Sequence, residues 1–259
     1  MGKTIISKGF IAYDVDAKAF IDAAGITDYN QKIAVNKLVQ DLKANSLWNK
    51  FDCLYPMVGG DATKHSFNLK NPLRYNLTFF GGWVHSNTGA LPNGTNGYAN
   101  TSFSGNLLEQ NSVHLSYYSR TTSAGTPVEM GLGDGGNSPY VALWSCFDGI
   151  CRISVNNIGA TEGVNIVSKT FFITSRTANN VIKAFLNSVM LFTSAILSNV
   201  VINRNIFIGS YVLSDGITAA NFTNRECALA SIGKGFSDAE VTLYNTAVTT
   251  FQTTLGRQN

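Results

Sequence analysis

The sequence of 259 residues predicts a mainly β chain: one sandwich-type domain with helices near its two ends. Three observations carry that prediction. Short runs of apolar and β-branched residues recur between turn signals at intervals of about 8–12 residues. Charged residues make up only 14% of the chain, too few to coat several long solvated helices. Residues 81–120, GGWVHSNTGALPNGTNGYANTSFSGNLLEQNSVHLSYYSR, join a Gly- and Asn-rich turn region to an alternating strand.

In chain order, residues 14–54 form the long helical stretch near the start. Asp14 or Asp16 caps a short helix that carries Phe20 and Ile21 and stops at Gly25; Thr27 or Asp28 caps a second. In the second, Ile33, Val35, Leu38, Val39 and Leu42 recur at three- and four-residue spacing, opposite a face of Lys32, Lys37, Asp41 and Lys43. Such a stripe packs either on the sandwich or against partner helices in an assembly. The segment CLYPMVGG ends the helical region, and residues 64–69 are expected as a first short strand. Residues 1–60 thus form an N-terminal helical, attachment segment, and residues 61–259 the sandwich with its C-terminal helix.

Within the sandwich, Trp83, Val84 and His85 fit a strand. Pro92-Asn93-Gly94 and Asn96-Gly97 are turn chemistry, because Asn and Gly adopt positive φ at little cost. Residues 113–119 alternate as a strand with one face inward, and residues 123–139 are loop-rich. Residues 140–156 fit a hairpin. Asp148-Gly149 suits a type I′ turn there, placing Phe147 opposite Ile150 and Cys146 opposite Cys151, which are either bridged or packed as thiols. Further strands are expected at 169–175, 181–186, 189–193, 206–210 and 228–232. Ser237 and Glu240 form a capping box that opens a final helix, with Val241, Tyr244, Val248, Phe251 and Leu255 on its buried face and Gly256 closing it.

Several function classes are disfavoured. The net charge of +3 is spread without a basic run, so neither nucleic acid nor an anionic membrane surface is an expected partner. Residues 181–210 are interrupted by Lys183, Asn187, Asn199, Asn203 and Arg204 and do not form a membrane-spanning helix. The first residues lack an apolar run followed by a small-residue cleavage site, so secretory export is not expected. The four cysteines lack C-x2-C spacing, and His65, His85 and His114 are dispersed, so no metal or cofactor is expected. Glu109, Glu129, Asp134, Asp148 and Glu162 stand singly, without the paired carboxylates of glycoside hydrolysis, and no catalytic residue is assigned.

Carbohydrate recognition needs aromatic faces for the C–H surface of a pyranose and a few polar groups around them. Trp83, His85, Tyr98, Tyr118 and Trp144, with Asp134, Asn137 and Arg176 as polar partners, are the candidate glycan-binding residues.

The order of features resembles the concanavalin A-like, laminin G-type jelly-roll superfamily. Residues 90–99 (ALPNGTNGYA) are similar to an early turn-strand element of that superfamily, and residues 114–120 (HLSYYSR) to the strand that follows it. Residues 176–188, 205–209 and 230–240 are similar to its later strands and closing helix start. The segments AFIDAAGITDYNQKIAVNKLVQDLK, LYPMVGGDATKHSFNLKNP, FFGGWVHSNTGALPNGTNGYANT and FTNRECALASIGKGFSDAEVTLYNTAVTTFQTTLGRQ further resemble virion structural and appendage proteins of tailed bacteriophages of Bacteroidota hosts. The resemblance implies a non-enzymatic virion surface protein: a head fibre, capsid decoration or tail appendage, with other virion proteins as partners. A homo-oligomer is expected, a trimer by preference, and host-surface carbohydrate is a candidate ligand. A free-standing carbohydrate-binding module and a polysaccharide-degrading enzyme are the alternatives. Asn187-Ser188 replaces the usual Asn-Gly turn, and the acidic cluster that supports calcium in some superfamily members is not recognisable.

Overall fold

The computed structural model describes residues 12–122, 127–133, 139–147, 150–159, 161–163, 169–200, 202–213 and 215–258, with side chains except at 145–147, 161 and 162. Two helices open it. The Asp14 side chain accepts the Asp16 N–H and starts α1 (Val15–Ala23), while Asp28 accepts the Gln31 N–H and starts α2 (Tyr29–Ala44). Gly25, at φ +62°, makes the turn between them. The stripe on α2 meets the chain's own sandwich: Val35, Leu38, Val39 and Leu42 are buried with Phe20 of α1 and with Tyr244 and Phe251 of the last helix, α4 (Asp238–Thr254).

The chain then turns to β structure sooner than predicted. Residues 51–55, expected at the end of the helical stretch, form β1 (Phe51–Tyr55), which pairs with the last strand. The strand expected at 64–69 is absent. Its place is taken by the one-turn α3 (Ala62–His65), capped by Asp61, and by a loop held through Asn68. The Asn68 Oδ1 accepts the Leu54 N–H at 2.9 Å and its amide donates to the Asp52 and Arg74 carbonyls, so side-chain bonds replace most of a strand ladder.

The strands that follow are β2 (Thr78–Phe80), β3 (Trp83–Ser86), β4 (Gly89–Pro92), β5 (Tyr98–Ser104), β6 (Val113–Ser119), β7 (Met130–Leu132), β8 (Pro139–Phe147), β9 (Ile150–Ile158) and β10 (Thr161–Glu162). After them come β11 (Thr170–Ala178), β12 (Val181–Leu186), β13 (Val189–Ser194), β14 (Asn205–Ile208), β15 (Tyr211–Val212), β16 (Ala219–Ala220) and β17 (Cys227–Gly233). One sheet runs β13-β12-β11-β6-β17-β4-β3, with β1 sharing the β4 side of β17; the other runs β10-β9-β8-β7-β14-β5-β2, with β15 and β16 at the β7 side. In the β8–β9 hairpin Phe147 pairs with Ile150 as expected; the tip at 148–149 and the Cys146 side chain lie outside the described residues.

The two sheets enclose one core, which includes Leu115, Tyr117, Phe172, Ile206 and Ile232. The helices cover the outer face of the first sheet and make a second core. This third layer corrects the reading of β6 as buried on one face: all seven of its residues are buried. Val113, Leu115 and Tyr117 point into the sandwich, while Tyr118 lies in the core beneath the helices and His114 and Ser116 are roofed by α4. The polar pair is tolerated because it is bonded. His114 Nε2 lies 2.8 Å from Ser231 Oγ, Ser231 lies 2.6 Å from Ser116 Oγ, and Tyr244 donates to Ser231 at 3.0 Å. The predicted capping box is present at the start of α4, and Gly256, at φ +65°, follows its end. No helix among the described residues is long and apolar enough to cross a membrane.

Candidate functional site: an aromatic edge between the sheets

The edge strands β2 and β3 belong to different sheets yet are joined by only two residues, Gly81 and Gly82. The chain therefore crosses from one sheet to the other in a single step. Gly81 sits at φ +69°, and a Cβ there would fall 2.0 Å from the Asn96 carbonyl oxygen, so only glycine fits. The loop facing this step is locked by Asn93. Its Oδ1 accepts the N–H groups of Thr95, Asn96 and Gly97, and its amide donates to Asn96 Oδ1, which also accepts the Gly82 N–H.

Aromatic rings fill the step. Phe80, on edge strand β2, pairs with Tyr98 of β5, and their rings stack at 4.8 Å and 13°. Tyr98 stacks in turn on Phe207 at 4.8 Å and 24°, so a three-ring column runs from the surface to the core. Phe80 is 42% exposed and caps the column. Trp83 reaches from β3 back to the other sheet: its Nε1–H is shared between the Phe80 carbonyl at 3.1 Å and the Tyr98 carbonyl at 3.3 Å. Its ring lies close to Gly209, where a Cβ would come within 3.1 Å of it. His85 completes the group, edge-on to Phe79 at 4.6 Å and roughly parallel to Trp83 at 6.0 Å.

Three of the eight predicted residues, Trp83, His85 and Tyr98, therefore come together. Asp134 and Asn137 lie outside the described residues. The other three are corrected by burial. Tyr118 lies under the helices with its ring 5.9 Å from Phe171. Trp144 packs with Val128 and Ala142 in a small separate cluster. Arg176 is 0% exposed, and its guanidinium is consumed by the carbonyls of Val155, Ala178, Asn179 and Ile196. A side chain with no exposed surface cannot meet a glycan, and this arginine instead ties strand β11 to the loops beside it.

Sequence reasoning missed Phe79, Phe80 and His65. The two phenylalanines had a signal, since an aromatic pair directly before Gly-Gly marks a strand end at a turn. His65 had none. Two of the histidines read as dispersed come together in the fold: His65 Nδ1 lies 2.9 Å from His85 Nδ1 although 20 residues separate them. Burial pushes the His65 imidazole down to about 3, with the neighbouring His85 acting in the same direction, and burial lowers His85 as well. Among the described residues no group of three or more potential ligands converges to hold a metal ion.

No family model matches the chain, and no curated protein matches it significantly. Solved structures do. A Trypanosoma rangeli sialidase in complex with sialic acid is similar over 83% of this chain and 39% of its own, at 10% identity and a TM-score of 0.54. The receptor binding domain of a botulinum neurotoxin, mosaic serotype C/D, is similar over 77% of this chain and 51% of its own, at 10% identity and a TM-score of 0.53. This chain thus spans about two fifths of the first structure and half of the second. The likeness is one of fold. It bears out the mainly β, jelly-roll sandwich with flanking helices, while ligand and activity have to be argued from the residues themselves.

Proposed function

We propose that this chain is a non-enzymatic surface protein of a bacteriophage virion, assembled as a homo-oligomer, that presents the Phe80–Trp83–Tyr98 edge to host-surface glycans. The carrying observation is a coincidence of two kinds of signal. The block FFGGWVHS to YANT, which bears the most specific part of the phage resemblance, folds into the step between the sheets and supplies all but one ring of its aromatic column. An exposed Phe face on a rigid column offers apolar area to a sugar's C–H surface, and the loop that faces the step exposes Asn96.

The fates of two acids support the non-enzymatic part. Glu129 is buried against Arg225, and Glu109 pairs with Lys234 at 2.7 Å. Glu129, with no exposed surface, cannot meet a substrate as the nucleophile or acid of a glycosidase.

The test is binding of the purified chain to capsular and surface polysaccharides of Bacteroidota, beside Phe80→Ser. Binding weakened about tenfold or more in the variant supports the reading. Equal binding by both removes the aromatic edge as the glycan site, and binding by neither removes the glycan role. Release of new reducing ends would overturn the non-enzymatic assignment, and absence of the chain from purified virions would overturn the structural one.

A further inference from the structure

We propose that His65 and His85 form an acid-sensitive latch that clamps the segment carrying α3 onto edge strand β3 while both rings are neutral, and opens when the pair gains a proton. The inference does not depend on the glycan reading.

The hydrogen bonds assign the tautomers. His65 Nε2 accepts the Gly60 N–H at 3.3 Å, so the His65 proton sits on Nδ1 and is donated to His85 Nδ1 at 2.9 Å. His85 then carries its own proton on Nε2. One proton thus serves two facing nitrogens. Adding another to His85 Nδ1 sets N–H against N–H. Adding it to His65 Nε2 removes the acceptor of Gly60 and places a charge on a ring that is 1% exposed.

The surrounding charges make the second proton costlier. Asp61 and Lys64 face the pair from α3, but Asp61 is already committed to Lys64 at 2.6 Å. From the C-terminal tail comes Arg257, whose guanidinium donates to the Pro56 and Met57 carbonyls of the same clamped segment. The side chain beside Gly60 is neutral: it is Asn87 of the turn between β3 and β4, which accepts from Gln31 of α2. A new positive charge on His65 therefore meets two cations against one carboxylate paired with Lys64, whereas at His85 burial is opposed by Asp61 alone. His85, half-buried and at the edge, is the port of entry. Because Phe79 and Trp83 rest on its ring, opening the latch also loosens the aromatic edge.

The test is long-range imidazole 1H–15N correlation on the 15N-labelled chain from about pH 7.5 to about pH 4.5, with amide exchange at the same points. At the upper pH, His65 is expected in the Nδ1–H form and His85 in the Nε2–H form, with a scalar coupling between the two Nδ1 atoms. On acidification the coupling disappears, His85 titrates first, and residues 56–66 and 79–86 lose exchange protection about tenfold or more beyond the loss that global destabilisation brings to β6 and β17. His85→Asn places an oxygen near Nδ1 that accepts from His65 but does not titrate, and in it the acid loss of protection in residues 56–66 is expected to shrink to that of β6 and β17. Two Nε2–H tautomers at the upper pH would overturn the latch. So would a coupling that persists at the lower pH, a loss of protection in residues 56–66 no larger than that in β6 and β17, or an acid response in His85→Asn equal to the parent's.

Discussion

Arg225 Nε lies 3.2 Å from Glu129 Oε1, and neither side chain reaches solvent. The pair joins the residue before β7 in one sheet to the approach to β17 in the other, with the guanidinium 5.9 Å from the ring of Phe172. Removing one partner strands a buried charge. Glu129→Gln is therefore expected to destabilise the fold by about 3–5 kcal/mol in urea unfolding. The double variant Glu129→Leu with Arg225→Met should recover most of that loss, because the desolvation cost disappears with the charges.

Stability should fall in acid. His65 and His114 are buried and each pushed down to about 3, so the folded state holds them neutral where the unfolded chain, near 6.5, binds protons. Their contribution is fully present above about pH 6.5 and is lost progressively as the pH falls toward 3. Between about pH 7 and about pH 5 the two together should cost roughly 4 kcal/mol of unfolding free energy. Chemical denaturation at both pH values measures this, and His114→Gln should remove about half of it.

Tyr244 fastens α4 to the first sheet with its hydroxyl as well as its ring. The hydroxyl donates to Ser231 Oγ at 3.0 Å and lies 3.2 Å from Ser116 Oγ. Tyr244→Phe keeps the ring packing on Phe51 and Phe171 but loses these bonds, and a destabilisation of about 1–2 kcal/mol is expected. Ser231→Ala should cost more, since His114 and Ser116 lose a partner too. Thermal unfolding of the two variants gives the order.

Gly81→Ala combines a left-handed φ with a Cβ driven into the Asn96 carbonyl. A cost of about 1–3 kcal/mol is expected from the backbone alone, with the Asn93–Gly97 loop displaced in addition. The diagnostic is a change in fluorescence of Trp83, whose indole N–H depends on the Phe80 carbonyl next to that glycine. An unchanged spectrum at unchanged stability would contradict the role given to this turn.

Much of the architecture was legible because its signals are local. A cap and an apolar stripe specify α2 and α4 within single segments, with a closing glycine after α4; alternation marks β6, and apolar or β-branched runs between turn signals mark β11 and β12. Where prediction failed, a distant partner had decided the outcome. Phe51–Tyr55 has no strand character of its own beyond a short apolar run; it becomes β1 because β17 offers an open side. Residues 64–69 lose their strand because Asn68 satisfies the backbone of a neighbour instead of its own ladder. Arg176 looked like a polar partner for a ligand, and it became a buried clamp because four carbonyls converge on it.

For the candidate site the division is similar. The sequence alone marked residues 81–120 as a Gly- and Asn-rich turn region leading into a strand and named Trp83, His85 and Tyr98 among its candidates, since residue type and turn chemistry are properties of a short window. Only the tertiary structure showed that Gly81 and Gly82 carry the chain from one sheet to the other, that Phe80 caps the ring column, and that His65 meets His85. Each of these depends on two edge strands of different sheets closing on one another, and contacts between residues far apart in sequence leave no periodicity to read.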